Sequence, residues 1–141
     1  MEITNQIQTH SLNHLLHDED YCRRVIPYLK KEYFEGPHKT VFDLIVSFVH
    51  KHNKLPTGKV LELELQKLNA HEEIINSAGQ LIQELKTKSD LDTEYLINET
   101  EKWCKERSVY LAIMESINII DGKDKEKTEG AIPEILSNAL G

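Results

Sequence analysis

Apolar residues recur at helical spacing along almost the whole chain. Ile3, Ile7, Leu12, Leu15 and Leu16 approximate one face of a helix over residues 2–17. Asp18-Glu19-Asp20 then offers an N-cap and an acidic first turn for a second helix carrying Tyr21, Val25 and Leu29, which Pro27 should bend or divide. Gly36 permits a turn, and Pro37 suits the first position of a third helix with Val41, Leu44, Ile45 and Phe48, ending near His52. Thr57 is the expected N-cap of a fourth helix bearing Val60, Leu61, Leu65 and Leu68. A fifth, over residues 70–87, sets Ile74, Ile75, Ala78, Leu81, Ile82 and Leu85 on the i, i+3, i+4, i+7, i+8 pattern.

The tail is built differently. Neither Pro nor Gly interrupts residues 92–121, enough for a single helix of about 45 Å. Leu96, Trp103, Tyr110 and Ile117 recur every seven residues, and Ile113 and Ile120 extend a second column that begins with Glu99 and Glu106. Gly122 supplies a stop, residues 123–127 a charged turn, and Thr128 or Gly130 the start of a last helix with Ile132, Ile135, Leu136, Ala139 and Leu140 on one stripe. Pro133 is tolerated there because it falls in the first turn. The spacing thus predicts an all-α protein: a globular head of about five helices over residues 1–88, and a C-terminal αα-hairpin arm over 89–141. Such an arm cannot bury both its faces on a small head. Trp103, Tyr110, Ile113, Ile117, Ile120, Ile132, Ile135 and Leu136 are therefore the candidate interface, some of them holding the two arm helices together and the rest meeting a partner.

Composition narrows the function classes. With 39% hydrophobic and 29% charged residues, the 141-residue chain has the balance of a folded domain. Its net charge of −7 argues against a free-standing nucleic-acid binder, which needs clustered Lys and Arg in excess. No apolar run approaches the roughly 18 residues that span a bilayer, and the first residues lack the features of a secretory signal. Cys22 and Cys104 have no CxxC spacing, and two free thiols suit a reducing cytoplasm.

Little of the sequence points to chemistry. Lys39-Thr40 after Gly36 invites a phosphate-loop reading, but His38 stands where the second glycine of G-x-x-x-x-G-K-[ST] belongs and helix flanks the site. His10, His14 and His17 share a helix face and could begin a metal site, although a structural site needs four ligands and a catalytic one three plus water. The acidic residues are dispersed over several helices, and no nucleophile elbow is present. Catalytic, cofactor-binding and metal-binding residues are accordingly expected to be absent. In the turn 33–38, Phe34 is expected to plug the core between the second and third helices, and His38 to bond a nearby backbone carbonyl.

Tyr33-Phe34-Glu35-Gly36-Pro37-His38 followed by Val41-Phe42 resembles the D-F-Y-x-x-x-H-x-x-I-F signature of the N-terminal domains of DnaB-type replicative helicases. Leu12 to Asp20 with the segment to Leu29 fits that family's order of helices, and Lys54-Leu55-Pro56-Thr57 resembles its loop before the fourth helix. Residues 104–109 are similar to the R-E-R-A-x-x-R element that opens the family's hairpin, with Lys105-Glu106-Arg107 in place of Arg-Glu-Arg. Residues 118–124 look most like the branch of T-even-like phages. The resemblance implies a collar domain that assembles from dimers up to a hexameric ring, binds primase, meets DNA only through the full helicase, and works in the bacterial host cytoplasm. It also implies that ATP and Mg belong to a motor domain outside these residues. A primase's helicase-binding domain resembles the same fold and is the nearest alternative; a metal-dependent helical protein using His10, His14 and His17 is a third.

Overall fold

The computed structural model describes residues 2–141, and side chains from residue 6 onward, so the side chain of Ile3 lies outside the described residues. Seven α-helices follow one another: α1 Glu2–His17, α2 Glu19–Val25, α3 Gly36–His52, α4 Gly58–Gln66, α5 Glu72–Glu84, α6 Thr93–Ile120 and α7 Ile132–Leu140. Among the described residues there is no strand, and the all-α class with a C-terminal hairpin stands.

The helix ends follow local chemistry. Asp18 caps α2 by accepting from the Tyr21 N–H at 3.1 Å, and Thr57 caps α4 by accepting from Val60 N–H at 3.2 Å. The second helix closes at Val25, two residues before Pro27, and a short 3-10 turn over Lys31–Tyr33 leads into α3. Gly36 opens α3 with φ +55°, a conformation in which a Cβ would be strained. Leu68, expected on the buried face of α4, lies beyond its end and is exposed.

The chain divides into two compact units, residues 1–100 and 101–141, the boundary falling within α6. In the first unit α1 packs on α2 and α3, α3 also on α4 and α5, and α4 on α5. Leu12, Leu15, Val25, Ile45, Leu61, Ile82 and Leu96 fill this core with almost no exposure. Phe34 is 1% exposed, and its ring stacks on Phe42 with centroids 4.5 Å apart. The core also holds a polar cluster. Tyr21 donates its hydroxyl proton to Ser11 Oγ at 2.8 Å and, with that proton committed, accepts from Thr100 Oγ1 at 2.7 Å. All three residues are fully buried, so each hydroxyl needs its partner.

In the second unit α6 runs to Ile120 and stops at Gly122, whose φ of +74° lets the Lys123 N–H reach back to the Asn118 carbonyl at 2.9 Å. Asp124 Oδ1 then accepts from the N–H groups of Glu126 and Lys127, and Lys127 Nζ closes the turn on Glu115 Oε2 at 2.5 Å. A 3-10 turn over Glu129–Ala131 precedes α7, with Pro133 in its first turn.

Candidate interaction surface on the C-terminal hairpin

Residues 101–120 of α6 are apolar on more than one side. Ala112, Ser116 and Ile119 are buried. On the opposite side Tyr110, Ile113, Met114, Ile117 and Ile120 are exposed by 52, 45, 39, 43 and 61%. At 100° per residue these five fall within an arc of about 120°, a continuous stripe roughly 15 Å long. Arg107 lays its guanidinium over the Tyr110 ring, 5.1 Å from the centroid. That contact covers one aromatic face with a planar cation and limits the ring's freedom.

Of the sequence-derived interface candidates, Tyr110, Ile113, Ile117 and Ile120 all lie on this stripe. Ile132, Ile135 and Leu136 are half-buried along α7. Trp103 shares the helical face of Tyr110 and Ile117 yet is only 5% exposed, so it is occupied inside the folded chain. Met114 was not among the candidates. It lies between the two seven-residue columns, and a 3.6-residue count from Tyr110 would have found it.

The other polar motifs have local partners. His17 Nε2–H donates to the Leu85 carbonyl at 2.7 Å, His14 Nε2–H to that of Leu91 at 3.1 Å, and His10 Nδ1 lies 3.4 Å from Ser89 Oγ. The three histidines thus bind the chain between α5 and α6, and no metal-holding group of His, Cys, Asp or Glu occurs among the described residues. His38 Nε2 pairs with the Thr9 hydroxyl at 2.8 Å where a backbone carbonyl was expected, and burial holds its pKa below the ordinary histidine value. Lys39 is exposed on α3, with helix on both sides of the would-be phosphate loop.

A concavity of about 620 Å³ in the first unit is lined by Leu16, His17, Glu19, the loop before α4, Lys59 and Lys86. Lys86 is ion-paired with Glu62, and Glu19 offsets Lys59, so the walls are close to electrically balanced. No described helix is long and apolar enough to cross a membrane.

The sequence is 33% identical over 138 residues to the DnaB-like replicative helicase of Enterobacteria phage T4. That similarity takes in 92% of this chain and 29% of the helicase, so the chain spans less than a third of its relative's length. No family model matches the chain. The resemblance to the N-terminal domain of phage DnaB-type replicative helicases is borne out by this similarity.

Proposed function

We propose, from this kinship with a phage replicative helicase, that the chain is a non-motor assembly domain: it builds the collar of the helicase ring and offers a docking surface for primase. The ATP-driven unwinding belongs to the full-length protein, in the host cytoplasm. The observation that carries the assembly role is the exposed stripe Tyr110–Ile113–Met114–Ile117–Ile120. Five large apolar side chains in register on one helix face are costly to leave in water and cheap to cover with a second such helix. At roughly 25 cal/mol per Å² of apolar surface, a paired stripe of this kind supplies several kcal/mol toward association.

Light scattering over a concentration series tests the proposal, with the chain and its Ile113→Asp/Ile117→Asp variant side by side. A mass of a dimer or more for the parent, lost in the variant with helix content retained, is the expected result. A monomer mass at every concentration into the hundreds of micromolar would remove the assembly role. Primase docking is read separately, by titrating labelled chain with the cognate primase.

A further inference from the structure

We propose that residues 85–95 form a releasable strap, latched to α1 by side-chain hydrogen bonds, whose opening frees the first turn of α6 while the rest of the first unit stays folded.

The latch is polar throughout. Alternate residues of the strap meet one face of α1. The Leu85 carbonyl accepts from His17, and the Thr87 carbonyl from Asn13 Nδ2 at 2.8 Å. The Ser89 N–H donates to Asn13 Oδ1 at 2.7 Å, and the Leu91 carbonyl accepts from His14. Asn13 therefore clasps the strap from both sides, as donor and acceptor at once. Ser89 Oγ, which accepts from the Leu91 N–H at 3.3 Å, can give its own proton to His10 Nδ1. Thr93 Oγ1 then donates to Asp18 Oδ2 at 2.5 Å, and Glu94 makes a paired contact with Arg24 at 2.6 and 3.2 Å.

What the strap lacks is an apolar anchor. Leu85 and Leu96 are each 1% exposed, but between them no apolar side chain is buried: Leu91 is half-buried and Tyr95 is 55% exposed. Cooperative unfolding is coupled to the core through buried apolar contacts, and segments held by hydrogen bonds alone belong to the low-stability end of local opening. The α1 side of the latch is different. Leu12 and Leu15 alternate with Asn13 and His14 and are fully buried, so α1 stays in place when the strap leaves. His14 adds a bias toward release: with Nε2–H given to Leu91, its buried Nδ1 has no hydrogen-bond partner. Part of what the latch gains is thus offset by one unsatisfied acceptor.

Amide hydrogen exchange on the full chain decides the matter. In the parent, the N–H groups of Ser89, Tyr95 and Leu96 should be protected, and their exchange should depend little on sub-denaturing urea because local opening exposes little surface. In Asn13→Ala the same amides should exchange at least tenfold faster, while those of Ile45 and Ile82 change by less than a factor of two. Exchange of Ser89 at the rate of a free peptide in the parent would mean that no latch exists. Equal acceleration of strap and α3 amides in the variant, or a steep urea dependence shared by both in the parent, would mean that the strap opens only with the whole unit. The parent measurement stands by itself should Asn13→Ala fail to fold.

Discussion

Phe34→Ala tests whether the 33–38 turn serves the core or a binding site. The ring is 1% exposed, and truncating a buried Phe of this kind costs about 3–5 kcal/mol. Its stacking on Phe42, at 4.5 Å and 19° between planes, contributes about 0.5–1.5 kcal/mol beyond simple burial and places the expectation near 4 kcal/mol. Phe34→Leu keeps most of the volume and loses only the ring pair and some shape, about 1.5 kcal/mol or less. Urea unfolding followed by circular dichroism at 222 nm reads both. With a slope of about 1–3 kcal/mol per molar, the alanine midpoint should fall by more than about 1 M and the leucine midpoint by clearly less. Trp103, the chain's sole tryptophan, lies in the second unit, and its fluorescence gives a second probe of whether the transition stays cooperative. An alanine variant with an unchanged midpoint and slope, particularly one that had lost primase binding, would refute the core assignment.

Tyr21→Phe should cost about 1–3 kcal/mol by thermal melting, since it strands the Ser11 and Thr100 hydroxyls in the core; a loss under about 0.5 kcal/mol would mean that they re-pair. Two groups set opposite ends of the acid profile. Burial lowers the His38 pKa, so as pH falls below about 6.5 the unfolded chain takes up that proton first, stability declines until the folded pKa is passed, and His38→Gln should flatten this slope. Burial opposes the ionised form of Asp18, but the Thr93 hydroxyl and Tyr21 N–H outweigh it and hold the pKa below the usual aspartate value; its stabilisation is complete above about pH 3.9 and lost as pH falls through the folded value. Burial also pushes the Cys104 thiol up to about 12, aided by Glu101, and raises that of buried Cys22, so neither should react with a disulfide reagent at pH 8 until urea unfolds the protein.

Helix existence was legible wherever periodicity and caps agreed. Asp18 and Thr57 are N-caps in sequence and in structure, Gly122 ends α6, and α1 has the bounds its apolar spacing predicts. Ends without a cap signal were less legible. The fifth helix stops at Glu84 while its apolar pattern continues through Leu85, because the next carbonyls are taken by α1 side chains. The polar face of α1 was read as a solvated surface or an incipient metal site. Its use as a clasp needs a partner some 70 residues away, and no local rule signals such a contact. In α6 the heptad columns were visible, but Leu96 and Trp103 are buried while Tyr110 and Ile117, on the same column, are open. Period locates a stripe on a helix; it does not say which stretch of that stripe the chain itself covers.

Because α6 passes from the first unit into the second without a break, its length works as an angular gauge. One residue added between Thr100 and Tyr110 would turn every later side chain by about 100° and advance it by 1.5 Å, carrying the Tyr110–Ile120 stripe a quarter-turn away from its present bearing. Seven added residues would return it to within about 20°. Evolution can lengthen a loop by any amount, but this helix only in near-whole heptads. Relatives with longer or shorter arms should therefore differ by such steps, and an insertion of one or two residues should abolish assembly without unfolding either unit.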